Sequence, residues 1–249
     1  MEAVTSRKPA LVHFFDLAQL NSIRSLPYVR AWSERYQPLG LAVYGVHTPR
    51  WPLTEDSDDA RSAIEALDLP HPVAIDAERA IWRDYGCHGW PHLFIWKQGG
   101  WLEWAQLGEG DYESLESAIR SVLEEADSQP AQGWPEFIEP MRASDVPEAE
   151  LIAPSGEMLL GGSLETPWSS DGEGAAIEAS YQGAGAYASV GGKGALRFSV
   201  DDSPPKELQV DGPQLVTIAE YEVSGEHTLT LSPDPGIEVY SLSFAPGTA

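Results

Sequence analysis

Residues 14–28, Phe-Phe-Asp-Leu-Ala-Gln-Leu-Asn-Ser-Ile-Arg-Ser-Leu-Pro-Tyr, constrain the fold more than any other stretch of the chain. They follow from Ala10–Phe15, a short apolar run without alternation, which is the pattern of a strand buried on both faces. From Leu20 to Tyr36 apolar residues recur at helical spacing (Ile23, Leu26 or Tyr28, Ala31, Tyr36), and Pro38-Leu39-Gly40 stops the helix. Pro27 lies inside that helix. A helical proline removes one backbone donor and kinks the axis, so it persists where the fold uses the bend. Leu41–Val46 is a second apolar run, which makes the unit strand, helix, strand with a parallel pair.

The N-terminal half continues in the same manner. Asp56–Leu67 reads as an inserted helix, with Asp56, Asp58 and Asp59 favouring its N-terminal end. Pro72–Ile75 is a short strand and Glu78–Tyr85 a helix. His92–Trp96 and Trp101–Gln106 flank Lys97-Gln98-Gly99-Gly100 as an antiparallel hairpin. Asp111–Ala126 is an amphipathic helix with Leu115, Ala118, Ile119, Val122 and Leu123 on one stripe and Asp111 as its expected N-cap. Residues 127–150 are rich in Pro, Glu and Asp but carry Trp134, Phe137 and Met141. That apolar bulk is expected to lie against folded structure. From about Glu150 the texture is all-β. Candidate strands are Ala175–Tyr181, Ala184–Val190, Ala195–Val200, Leu208–Val210, Leu215–Val223, His227–Leu231 and Ile237–Phe244, with turn signals at Asp211-Gly212 and Ser224-Gly225. Their spacing argues for a β-sandwich.

Composition narrows the function classes. An apolar content of 42% and nine Trp in 249 residues describe a folded globular chain. The formal net charge of −24 disfavours nucleic acid and anionic membrane as partners. Cys87 is alone, which excludes an intrachain disulfide. Met1–Pro9 is polar and no apolar run reaches membrane-spanning length, so a cytoplasmic location is expected.

Several segments together resemble a known family. Asn21–Tyr28, Gly-Val-His-Thr-Pro at Gly45–Pro49, and Gly-Glu-Gly-Asp-Tyr at Gly108–Tyr112 look like the TlpA-like thioredoxin domain at the C-terminal end of DipZ-type membrane proteins. Leu160–Gly162, the Trp168 region and Pro235–Tyr240 resemble the carbohydrate-binding-module-like jelly roll that follows it there. The resemblance implies an α/β thioredoxin fold, a central mixed sheet flanked by helices, followed by an all-β jelly-roll sandwich. The implied boundaries are a thioredoxin-like domain over 1–126, a linker over 127–150 and a β-sandwich over 151–249. It implies that the two redox cysteines of the family fall at Gln19 and Ser22, that Pro91 is the cis-proline, and that Trp90 presents its backbone to an extended peptide. Trp168, Tyr181 and Tyr187 become the candidates for stacking a sugar ring. Relatives of this kind sit outside the cytoplasm.

The residues at those positions decide the expected chemistry. Thiol–disulfide exchange needs a thiolate and a resolving sulfur, and Gln19 and Ser22 supply neither. Ser22 has no His or carboxylate nearby in sequence to activate it. Cys87 has two readings: an inert buried thiol, or a one-cysteine peroxidase or sensor site beside His88. Cys87, His88 and His92 have metal-like spacing, but the cysteine pair of the copper chaperones that share this fold is missing, so neither metal nor cofactor is expected. The expected function is a redox-inactive thioredoxin-like binding or scaffold protein, a pseudoenzyme that holds a peptide or protein at the Trp90–Pro91 edge. The alternatives are a thiol-dependent oxidoreductase or peroxidase using Cys87, and carbohydrate binding by the C-terminal domain.

Overall fold

The computed structural model describes residues 8–55, 57–127, 130, 133–170 and 175–249. Asp56, named above as a helix-start residue, lies outside them. In chain order the first elements are β1 (Ala10–Phe15), α1 (Leu20–Tyr36), β2 (Ala42–His47), α2 (Ser57–Ala66), β3 (Val73–Ile75), α3 (Ala80–Asp84), β4 (His92–Trp96), β5 (Leu102–Leu107) and α4 (Tyr112–Glu125). The chain divides into two compact units. One runs to Asp16 and takes in Asn21–Pro49 and Ile64–Met141; the other holds Leu17–Leu20, Arg50–Ala63 and Arg142–Ala249.

The first unit is built on a five-stranded sheet in the order β3-β2-β1-β4-β5. β1 is central, parallel to β2, with Ala10 opposite Ala42 and Phe15 opposite His47. It is antiparallel to β4, with Phe14 opposite His92. All six β1 residues are buried, which is why the run is apolar without alternation. Leu11 meets Tyr28 and Trp32 of α1 and Leu115 and Ile119 of α4 on one face of the sheet. Val12 and Phe14 meet Cys87, Phe94 and the half-buried Ile81 and Tyr85 on the other. The Trp90–Pro91 bond leading into β4 is cis. Strand order, directions and this bond make the N-terminal half a thioredoxin-like fold.

Two ties hold α1 in place. Arg24 donates from Nε to both oxygens of Glu109, at 2.8 and 2.9 Å, which fixes α1 to the loop before α4. Glu116, buried on α4, accepts from Trp32 Nε1 at 3.2 Å, Arg120 Nη2 at 3.1 Å, Ile138 N at 2.9 Å and the Tyr36 hydroxyl. Ile138 belongs to the stretch read as a linker, and so does Trp134, whose indole donates to Glu124 at 2.6 Å. The Arg120 guanidinium lies 3.8 Å from the Phe137 ring centre, and Met141 N donates to Tyr28 Oη at 2.7 Å. Trp134 and Ile138 therefore pack on the core of the first unit, while Phe137 and Met141 stay exposed. The expected N-cap differs: Asp111 sits before α4 at φ 47° and makes no side-chain capping bond. In the left-handed region its backbone, not its carboxylate, shapes the helix start.

The remaining elements are β6 (Leu151–Ile152), β7 (Met158–Leu159), β8 (Trp168–Ser169), β9 (Ile177–Val200), β10 (Lys206–Asp211), β11 (Gln214–Pro233), β12 (Ile237–Ala245) and β13 (Gly247–Thr248). They form an eight-stranded sheet in the order β6-β13-β11-β9-β12-β7, with β10 added on β9 and β8 on β12. The three short strands expected between Ala175 and Val200 are one strand of 24 residues. The two expected between Leu215 and Leu231 are one strand of 20, running straight through Ser224-Gly225. Leu231 of β11 lies opposite Ile177 at the start of β9 and also opposite Phe198 near its end, so the sheet curls back on itself. Gly192, at φ +84° inside β9, marks the bend: a Cβ there would stand 2.0 Å from the Gly236 carbonyl oxygen. Ile177, Ala188, Leu196, Leu229, Val239 and Leu242 fill the curl. Within this unit Ser189 Oγ donates to the Ala18 carbonyl at 2.7 Å, and Arg50 pairs with Glu157 at 2.9 and 2.6 Å. Among the described residues no helix is long and apolar enough to cross a membrane.

Candidate functional site

The turn between β1 and α1 carries the two positions at which the family resemblance places cysteines. Ser22 is completely buried, and its Oγ accepts from Asp16 N at 3.2 Å. The hydroxyl thereby closes the turn from the first coil of α1, a structural use that a serine fills well and that needs no base. Gln19 is half-buried. One turn on, Ser25 Oγ donates to the Ser22 carbonyl at 2.8 Å and lies 3.0 Å from His13 Nε2.

The loop into β4 is braced more firmly than its sequence suggests. The Trp90 indole donates to the Thr48 carbonyl at 2.8 Å and stacks on Trp82 with ring centres 5.1 Å apart. Trp82 is fixed in turn by Asp76, whose Oδ1 accepts from Ile81 N at 3.0 Å and whose Oδ2 accepts from Trp82 N at 2.8 Å. Thr48 Oγ1 reaches the same Oδ2 at 3.3 Å, and Gly108 N donates to the Pro91 carbonyl at 2.8 Å. Asp76 thus joins the ends of β2 and β3 to the start of α3, and through Trp82 it sets the Trp90 ring. Asp76, Thr48 and Trp82 were missed in the sequence. The available signal was an Asp four residues before a short helix, placed to satisfy its free N–H groups.

Cys87 is 3% exposed, packed among Val12, Phe14, Val46 and Phe94. Burial pushes its thiol up to about 12, and the Asp76 carboxylate adds to the rise. His47 is completely buried at the end of β2, with neither ring nitrogen within hydrogen-bond reach of a partner. Burial lowers its pKa, partly opposed by Asp16. His92 is buried and stacks on Phe94 at 4.4 Å, while His88 is exposed. Cys87, His88 and His92 do not assemble a site: among the described residues no group of three His, Cys, Asp or Glu side chains is arranged to hold a metal.

The aromatic residues considered for sugar stacking are placed differently from expectation. Tyr181 and Tyr187 are 3% and 4% exposed. Tyr181 is stacked on Phe244 at 4.5 Å, and Tyr187 packs with Leu20 and Ala245 while its hydroxyl donates to Glu220 at 2.8 Å. Trp168 is half-buried against the core of the curled sheet. Alternation along a strand cannot show that both faces are covered, which is what a sheet curling over its own core brings about.

Residues 156–245 match the family described as thioredoxin like C-terminal domain. That match falls on the curled sheet, not on the thioredoxin-like half. Protein DipZ of Mycobacterium bovis is 28% identical over 272 residues, covering 95% of this chain and 39% of the relative. The chain thus spans about two-fifths of that relative's length. NHL repeat-containing protein 2 of Bos taurus is 32% identical over 109 residues, 43% of this chain and 15% of the relative. A solved structure titled as a thiol:disulfide interchange protein DsbE from Chlorobium tepidum superposes with a TM-score of 0.45 at 21% identity, over 49% of this chain and 84% of its own.

Proposed function

We propose that this chain is a redox-inactive member of the DipZ-like and DsbE-like thioredoxin group. On this reading it holds an extended peptide or partner protein at the Trp90–Pro91 edge, and its C-terminal part is a degenerate carbohydrate-binding-module-like jelly roll serving as scaffold. The single observation that carries the reading is the state of its sulfur. Cys87 is the one cysteine in 249 residues, and it is buried with its thiol held at about 12. The nucleophile of disulfide exchange is the thiolate. A thiol at that pKa is ionised to roughly one part in 10⁵ at pH 7, against a few per cent for a free cysteine. Gln19 and Ser22 offer no second sulfur, and Ser22 is spent on the turn. What supports the docking reading is the braced edge: a cis-proline, with a tryptophan before it held at two points.

The alternative, an oxidoreductase or peroxidase using Cys87, needs that thiol to reach solvent and ionise. Peroxide consumption and insulin-disulfide reduction, each run with the chain and with Cys87→Ser, separate the two. The proposal expects neither activity above the buffer rate. An activity present in the chain and absent from Cys87→Ser would replace it with the alternative. The docking edge is tested separately by a library of extended peptides, with Trp90→Ala, which removes the brace that sets the edge, expected to weaken capture; capture unchanged by it would place the peptide elsewhere.

A further inference from the structure

The second unit contains a cleft of about 600 Å³ that no sequence motif marks. Its walls include Ser155, Ser180, Gln182, Asp201, Glu226 and His227. On the two long strands Glu226 lies opposite Gln182, and Thr228 opposite Ser180. With a side-chain period of two, these four share a face of the sheet. The walls are pinned from behind. Asp201 accepts from Thr228 N at 2.9 Å and lies 2.9 Å from His227 Nδ1. Because a carboxylate there can only accept, the ring carries its proton on Nδ1. Ser155 accepts from Gln182 N at 2.9 Å and donates its own N–H to the Gln182 carbonyl at 2.8 Å. The His227 ring is stacked on the half-exposed Tyr221 at 4.3 Å with the planes 7° apart. These contacts set the shape before anything enters, and the volume suits a small ligand or one side chain.

The charge selects the ligand. The cleft has two carboxylates and no Lys or Arg among its lining residues. It sits in a half of the chain, residues 127–249, that holds 20 of the 39 acids but 4 of the 15 bases. Three of those bases are already engaged: Arg142 with Asp145, Lys193 with Asp211, and Arg197 with Glu207 and Asp234. A concave wall in such a field concentrates cations. Among the described residues no three His, Cys, Asp or Glu side chains are arranged to hold a metal ion. An ammonium or guanidinium fits better: its N–H groups suit the Glu226 carboxylate, the Gln182 amide oxygen and the Ser180 hydroxyl.

We propose that this cleft binds an organic cation bearing an ammonium or guanidinium group, either a free polyamine or a Lys or Arg side chain presented by a peptide. The test is titration calorimetry of the full chain with spermidine and, separately, with N-acetyl-lysine amide and N-acetyl-arginine amide; the tighter arm identifies the source. Saturable binding is expected, weakened at least tenfold by Glu226→Gln and by Asp201→Asn. It should be unchanged by Glu113→Gln, which removes the same charge from α4 in the first unit. Because Glu226 is exposed, its substitution tests the site without threatening the fold. Equal weakening by Glu226→Gln and Glu113→Gln would mean attraction by net charge alone and would overturn the site. So would the absence of binding in all three arms, or preferential binding of a neutral oligosaccharide such as cellohexaose.

Discussion

Cys87 shows how far a residue's chemistry is set by what surrounds it. The sequence left two readings open for this thiol, since a lone cysteine beside a histidine is compatible with reactivity or with packing. What the sequence could not show is that the residue lies on the inner face of the sheet, covered by Phe14, Phe94 and Val46. Native chain is expected to leave Cys87 unmodified by a disulfide reagent at pH 7. The same reagent after urea unfolding should titrate one thiol per chain, a difference read directly by absorbance. The buried histidines make a second prediction at this scale. Burial, with His71 adding, holds His13 down at about 3; burial, with Arg30 adding, holds His71 down at about 4. Both titrate near 6.5 when unfolded. Between these values the unfolded chain binds the extra protons, so stability is highest above pH 6.5. It falls as the pH drops from 6.5 towards 4 for His71 and towards 3 for His13, by at most about 1.4 kcal/mol per pH unit for each. Urea midpoints of the first unit measured from pH 8 to pH 4 should follow that slope, and His13→Gln should flatten it.

Among elements, legibility followed burial geometry. β1 could be read because a central strand covered on both faces leaves an unbroken apolar run, and α4 because one face of it alone is buried. β9 and β11 could not. Gly183, Gly191, Gly192, Ser224 and Gly225 look like breaks between short strands, since glycine is the usual punctuation of a chain. Here they lie within strands, where missing side chains allow a bend or a close neighbour: a Cβ on Gly225 would meet the His227 ring at 2.9 Å. Gly192→Ala combines a positive φ with a clash against backbone, and should destabilise the second unit by about 2–5 kcal/mol while leaving the first unit's transition in place. The α1–α4 contact gives a further prediction. Glu116→Ala removes the buried acceptor shared by Trp32, Arg35, Tyr36, Arg120 and Ile138 and with it the ion pairs to Arg35 and Arg120. It should cost about 3–5 kcal/mol in urea unfolding, and Glu116→Gln less, about 1–3 kcal/mol.

On the scale of the whole molecule, the parallel pair and the hairpin of the first half were accessible from local patterns, while its fold was reached through the family resemblance. The composition of the two units was not, since Leu17–Leu20 and Arg50–Ala63 belong with residues far along the chain. Contacts at such sequence separation, such as that of Ser189 with Ala18, leave no periodic trace. The site was legible in the same uneven way. The resemblance located the cis-proline and the tryptophan before it, whereas Asp76, Thr48 and Trp82 became visible only once β2, β3 and α3 were placed together. The polar cleft of the second unit, built from residues in three separate stretches, had no linear signature at all. The proposed function removes disulfide chemistry from this fold, because that chemistry needs a thiolate and a second sulfur. The most direct measurement is the turbidity of insulin reduced by dithiothreitol in the presence of the full chain. The rate should equal that of dithiothreitol alone, and be the same with Cys87→Ser. An acceleration that rises with chain concentration and disappears in Cys87→Ser would contradict it.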